Sequence, residues 1–437
     1  SAFIDTSEIN NPLYVIDGAE FSDGATTSLG DAIDEYLGLS IADYGAAVGQ
    51  PIIRGMSGPR VKILKNGVVN RDVSGLGVDH LNDVDLHDIS QVEIVKGPSS
   101  LLYANGTIGG IINVVDDCIS ALNYELPEIS VGYETQSVND GNAENFNFKN
   151  NINGFNVNFG YKNIDFGNYD IPSGAILHEE EDHDDHDDHD EDEHHDEDMG
   201  FLNNSDYAVE ATKFGISKVG DWGYVGFSVD NLESVYGIPF HGDEHEDEHG
   251  DEEEHDEHGE ERIFSTTDSE SFTLKGSYNI NGSLINKIDF NYRDSDYSLT
   301  EAHEEEEHHE EDEHDEEEEH EEHAPTVFMN EAVEYGATFD ISNDSSTQKV
   351  VVNFVDEDNS IVGEEAFMNP ANSKEFTIGY YLSKDIGIYD LDVGFRHDQI
   401  ERSGSVSEEE HGDHHDDDHG DDHGDEHGDE HGEVDYY

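Results

Sequence analysis

A mixed α/β domain followed by an antiparallel transmembrane β-barrel is the fold class this sequence predicts, and three observations predict it. From about residue 128 onward the texture changes, from short apolar runs among Gly and Asp turns to long runs of strict period two. Many of those runs reach the ~9 to 11 residues that cross a bilayer at a tilt. Tight turns also alternate with much longer connections, the pattern of a barrel with one short-turn side and one long-loop side.

The elements follow in chain order. Residues 1–117 read as the mixed domain, with short strands at Leu13 to Ile16, Val61 to Leu64, Val92 to Val95 and Ile111 to Val115, and a helix over Ser28 to Tyr36. Residues 118–437 read as barrel. Phe155, Val157, Phe159 and Tyr161 alternate with Asn156, Asn158, Gly160 and Lys162. The same alternation runs through Phe272 to Ile280, Ile288 to Tyr292, Val333 to Phe339 and Tyr389 to Phe395. A soluble sandwich would bury such apolar faces against one another. Strand length, and a polar face suited to a watery lumen, favour apolar-out, polar-in.

Tight turns are expected at Asn153-Gly154, Gly220-Asp221, Asn281-Gly282, Asn343-Asp344 and Asp385-Ile386, with long loops over 165–205, 236–267, 299–331, 358–372 and from 403 onward. The count is about eleven strands. An odd count would leave two unpaired edges in lipid, so the chain reads as incomplete. No stretch approaches the ~18 consecutive apolar residues of a spanning helix. The chain opens at Ser1 without Met or an apolar leader, which reads as a removed signal peptide or a cut sequence.

The 437 residues carry 108 acids against 19 bases, a formal net charge of −89, which excludes a nucleic-acid binder. One cysteine, Cys118, excludes an internal disulfide framework and a multi-cysteine metal site, so any metal chemistry uses N and O ligands. Four runs, 178–198, 241–261, 301–323 and 408–433, contain only His, Asp, Glu, Gly and one Ala; they hold 58 of the acids and 24 of the 27 histidines. Those histidines are His178, His183, His186, His189, His194 and His195; His241, His245, His249, His255 and His258; His303, His308, His309, His314, His320 and His323; and His411, His414, His415, His419, His423, His427 and His431. All four runs fall on the long-loop side. Imidazole with carboxylate suits Zn, Ni, Cu and Co, whereas carboxylate alone suits Ca and Mg. Overlapping spacings of three and four offer many ligand sets without one fixed site. The plainer alternative is a solvated acidic coat.

Part of the sequence resembles a known family. Pro51-Ile52-Ile53-Arg54-Gly55, Arg60 to Gly67 and above all Val92-Glu93-Ile94-Val95-Lys96-Gly97-Pro98-Ser99-Ser100-Leu101-Leu102-Tyr103, continued by Gly106 to Val114, resemble the plug of TonB-dependent outer-membrane receptors over residues 12 to 117. The resemblance implies a barrel of roughly 22 strands with a plugged lumen, of which about half is present, and import energised by TonB with its inner-membrane complex. No TonB box is evident before Asn11-Pro12. Within the family the chain looks most like the zinc-uptake receptors, whose plug carries an Asp-His pair where this chain has Asp79-His80. Tyr236-Gly237-Ile238-Pro239, followed by His241, resembles their strand-to-loop junction.

A fixed transport site needs rigid ligands, and Asp79 with His80 could supply two of four tetrahedral zinc ligands; otherwise His80 merely caps a turn. His87 reads as a surface residue and His397 as an outward belt residue. The functional expectation is a transporter and not an enzyme: TonB-dependent import of a divalent ion, zinc first and Ni2+, Cu2+ or Co2+ as alternatives, across the outer membrane of a Gram-negative cell. No catalytic cofactor is expected, and the partners are TonB, outer-membrane lipid and the ion. The rivals are a receptor for a metal chelate such as a siderophore or cobalamin, and a surface metal-buffering protein. Scarce Lys and Arg in the loops argue against anionic ferric chelates.

Overall fold

The computed structural model describes residues 12–18, 28–45, 47–77, 79–173, 175, 200–239, 262–280, 282, 284–304, 324–363, 366–405 and 433–436. The N-terminal domain contains β1 (Pro12–Asp17), β2 (Leu39–Asp43), β3 (Gly49–Ile53), β4 (Val61–Lys65), β5 (Val68–Val69), β6 (Ile89–Val95) and β7 (Gly110–Asp116). Five of these form one sheet in the order β1-β6-β7-β4-β5, and β2 pairs with β3. Asn66 and Gly67, both at positive φ, turn β4 into β5. The core of the domain is apolar: Ile16, Leu29, Ile33, Ile53, Val92, Ile94, Ile112 and Val114 are buried together.

The expected helix at Ser28 to Tyr36 is instead a chain of turns. The Asp31 N–H does donate a cap-like bond to the Ser28 hydroxyl oxygen at 3.1 Å. The Gly30 N–H, however, is spent on the Gly49 carbonyl of β3 at 3.1 Å, and Ile33 and Tyr36 bond only three residues back. A single i→i−4 bond forms, from the Ala32 N–H to the Ser28 carbonyl at 3.2 Å, and no helical ladder propagates from it.

The second unit is one antiparallel sheet. Its strands are β8 (Glu128–Gln136), β9 (Gly141–Ile152), β10 (Phe155–Phe166), β13 (Tyr207–Gly220), β14 (Gly223–Gly237), β15 (Arg262–Asn279), β16 (Lys287–Glu304), β17 (Thr326–Asp340), β18 (Thr347–Val362), β19 (Ala371–Ile386), β20 (Tyr389–Ser405) and the short β21 (Glu433–Tyr436). A two-stranded hairpin, β11 (Tyr169–Asp170) with β12 (Phe201–Leu202), lies in the β10–β13 connection. Spatial order follows chain order, with β8 and β21 at the edges. The eleven long strands match the expected count, and β21 adds a twelfth.

Because neighbours in sequence are neighbours in space, all long connections leave one end of the sheet, together with the four-residue turn 137–140, and the other short turns leave the opposite end. Runs 178–198, 241–261, 301–323 and 408–433 all attach at the long-connection end. Four short turns differ from expectation. Asn281-Gly282 lies within a longer connection, residues 280–286. Asp221-Trp222 joins β13 to β14, Gly387-Ile388 joins β19 to β20 with Asp385 and Ile386 inside β19, and residues 341–346 make a connection longer than a tight turn. Asn153-Gly154, both at positive φ, is a two-residue hairpin as expected.

Strands β13 to β20 run from 14 to 18 residues, beyond what a membrane crossing needs. The inward and outward positions keep one parity along each strand, but the chemistry of the two faces reverses part-way. On β13 the short-turn half points Phe214 and Ile216 outward and buries Lys213 and Ser217, while the long-connection half buries Tyr207, Val209 and Ala211 and exposes Glu210. The buried residues of that upper half close around the N-terminal domain. Ile164, Phe166, Tyr207, Val209, Tyr236, Ile263, Leu299 and Phe328 pack on Ala47, Val48, Val73 and Leu81, each fully buried large side chain contributing on the order of 1.5–3 kcal/mol. At the short-turn end Leu102 and Tyr103 pack against Val351 and Tyr381.

Candidate metal site

Asp79 and His80 sit in the irregular segment between β5 and β6, at the end of the N-terminal domain that faces the long connections. Their backbone is pinned from two directions. The Gln50 amide donates to the Ser74 carbonyl at 2.7 Å and to the His80 carbonyl at 2.8 Å. From the wall, the Tyr236 hydroxyl accepts the Leu81 N–H at 3.2 Å, so the last residue but one of β14 fixes the segment directly. The His80 ring is 6% exposed at residue level and meets the edge of Phe328, with centroids 5.3 Å apart at 65°.

The two side chains converge. A Cβ placed on Gly77 would overlap Asp79 Oδ1 and lie 3.2 Å from His80 Cδ2 and 3.4 Å from His80 Nε2, so carboxylate and imidazole stand over the same point. Asp79 also acts on its surroundings: burial and its charge push the Tyr44 phenol above its usual value. On the wall, Asp79 and Glu301 are both within electrostatic reach of Tyr236. Glu301 is buried on β16 directly across from Ser265. Among the described residues, no group of three or more His, Cys, Asp and Glu side chains already surrounds a common point. The structure thus brings together a pair, with one wall carboxylate nearby.

Residues 5–111 match the family described as TonB-dependent Receptor Plug Domain. The N-terminal unit is a TonB-dependent receptor plug domain. A hemin receptor of Yersinia enterocolitica is 33% identical over 114 residues, 25% of this chain and 16% of that protein. The vitamin B12 transporter BtuB of Vibrio vulnificus is 26% identical over 133 residues, 30% of this chain and 22% of that protein. Among solved structures, the copper transporter OprC aligns with a TM-score of 0.66 at 12% identity, covering 91% of this chain and 57% of that one. The FrpB iron transporter from Neisseria meningitidis aligns at 0.62 and 12% identity, covering 90% and 59%. The chain therefore spans a little over half of each of these structures, and at such identity the likeness is one of fold. That fold is a plug against an antiparallel barrel sheet.

Below the Asp79–His80 level, charge holds the plug to the wall. Lys65 pairs with Asp230 at 2.9 Å, Arg71 with Glu334 at 2.8 Å and Glu357 at 3.2 Å, Lys149 with Asp88 at 2.8 Å, and Asp85 with Lys213 at 3.3 Å. Burial alone would raise Asp85, but Lys213 and Lys162 hold its carboxyl well below the usual range. Asp83 lacks such a dominant partner. Burial, reinforced by Asp72, pushes it up to about 6, although a hydrogen bond with Ser269 and the charges of Lys65 and Arg293 oppose the shift.

Two expectations need correcting. His87 is not a surface residue: its Nε2 lies 2.8 Å from the Asn147 amide of β9, its carbonyl accepts the Lys213 ammonium, and burial depresses its pKa. His303 does not belong to a loop; it lies in β16, on the same face as Leu299 and Glu301. His397 is exposed on β20 in line with Phe395, as expected. The other loop histidines, His178 to His195, His241 to His258, His308 to His323 and His411 to His431, lie outside the described residues. Sequence reading missed Glu301, Tyr236 as an anchor and Gln50. For Glu301 the signal was present, because Tyr297, Leu299, Glu301 and His303 continue the inward phase of β16.

Proposed function

We propose that this chain belongs to a TonB-dependent transporter that imports a divalent metal ion, zinc first, across the outer membrane of a Gram-negative cell. The four His/acid runs act as extracellular ion collectors, and Asp79 with His80 forms the fixed station. The observation that carries this reading is the convergence of a carboxylate and an imidazole beside Gly77, at the end of the barrel where all four runs attach. Two N/O ligands on an ordered segment suit zinc, with copper, nickel and cobalt close in preference. The pair is walled by Phe328, Tyr236 and Leu81, an enclosure that favours a bare ion over a bulky chelate. The runs raise the local ion concentration through their charge, and TonB supplies the energy.

Uptake of individual metals by cells with and without the full-length gene tests the reading. Zinc-dependent growth restored by the gene, and lost with Asp79→Ala plus His80→Ala, is the expected result. A second reading, a metal-chelate receptor, draws on the hemin and vitamin B12 relatives. Growth on heme or cobalamin restored by the gene, with zinc uptake unchanged, would replace the first reading by the second.

A further inference from the structure

We infer that Gly77 is a positioning residue for the Asp79–His80 pair, kept free of a side chain so that the carboxylate can stand over it beside the imidazole. This rests on the metal-site reading above. Gly77 is not needed for its backbone, which lies outside the left-handed region; it is needed for space. A Cβ there would sit well inside contact distance of Asp79 Oδ1 and press on the His80 ring, at 3.2 Å from Cδ2 and 3.4 Å from Nε2.

The kind of atom that would be hit decides the consequence. Asp79 Oδ1 is the far end of a flexible side chain, so the segment relieves the overlap by rotating the carboxylate away, at little cost to folding. That rotation removes the oxygen from the point it shares with the imidazole, and a ligand displaced by even ~0.5 Å no longer meets the geometry a metal demands. The backbone around the pair stays where Gln50 and Tyr236 hold it. Gly75, two residues earlier, is the natural control, because a Cβ there would meet only Pro59, at 3.9 Å.

The experiment is a zinc titration of the purified full-length protein, with the unfolding midpoint measured in parallel, for Gly77→Ala, Gly75→Ala, Asp79→Ala and Gly77→Ala combined with Asp79→Ala. Gly77→Ala is expected to weaken the tight phase by ~10–100-fold, the range for substitutions that disturb ligand orientation, at an unchanged unfolding midpoint. Gly75→Ala should change neither quantity. In the Asp79→Ala background the effect of Gly77→Ala should shrink to what its pressure on the His80 ring leaves, since the carboxylate oxygen it displaces most is gone; a purely structural role would add its full effect in both backgrounds. A tight phase lost with Asp79→Ala but kept in Gly77→Ala overturns the inference alone. If the tight phase survives Asp79→Ala as well, the metal-site reading falls with it. Misfolding of Gly77→Ala would place the clash on the backbone and overturn the inference too.

Discussion

The two halves of the barrel wall are built from the same strands with opposite side-chain logic. Toward the short turns, β18 points Val350, Val352 and Phe354 outward, and Phe354 stacks on Tyr335 at 5.2 Å and meets Phe376 at a tilt at 4.9 Å. Toward the long connections the outward positions turn acidic, and Glu270, Asp296, Glu331 and Asp358 stand directly opposite one another on four adjacent strands. Inside, the order reverses, with polar and charged residues below and an apolar ring above. The outer reversal is what a boundary between lipid and water predicts, since like charges in register are tolerable only in a high dielectric. The inner reversal marks what the plug needs at each level, ionic attachment in the middle and a dry collar around Asp79 and His80.

The ionic attachment should give the largest effect. Removing Arg71 leaves Glu334 and Glu357 without their cation, and breaking a buried pair from one side costs ~3–5 kcal/mol. Arg71→Met should therefore lower the denaturant midpoint and open the plug to protease. Adding Glu334→Gln and Glu357→Gln should recover most of the loss. A single substitution with no measurable penalty would mean that the wall and plug are held by the apolar collar alone.

The outer boundary can be tested next. Val352→Arg places a cation in the apolar band, with an expected cost of ~2–4 kcal/mol for unfolding from lipid vesicles, whereas Asp358→Arg, six residues along the same face, should cost at most ~1 kcal/mol and can relieve repulsion from Glu331. Equal costs at the two positions would place the lipid boundary elsewhere.

The lower half of this comparison was legible in the sequence because one physical pattern covers it. Phe155, Val157 and Phe159 announce both strand and facing. The upper half was harder to read because the pattern inverts within a strand: Ile164 and Phe166 are buried and Asp165 is exposed, as in a soluble sheet. Loops were accordingly expected to start too early, and Glu301 and His303 were assigned to a run when they belong to β16. Asp79 and His80 were singled out by resemblance, and nothing in their spacing foretold the convergence over Gly77. His87 was misread because a lone histidine among aspartates gives no sign of the wall that covers it.

The smallest expected effect depends on pH and lies between the two levels, at Asp83. Its Oδ1 is closed off from solvent without a hydrogen-bond partner, and its pKa in the folded protein is raised from 3.8 to about 6 by burial and by Asp72, against the pull of Ser269, Lys65 and Arg293. A carboxyl with a raised pKa binds its proton more tightly when folded than when unfolded. Its ionised form therefore destabilises the fold fully above pH ~6, and the penalty fades as pH falls toward the unfolded value. Asp83→Asn removes the ionised form at every pH and should stabilise the plug by ~1–3 kcal/mol at pH 7.5, a gain that shrinks through pH 6 and is gone near pH 4. Unfolding midpoints of the two proteins from pH 4 to 8 measure it directly. A gain of the same size across that range would show that the benefit comes from packing or hydrogen bonding, and Asp83 would then join Asp85 as a carboxylate that the seam holds in its charged form.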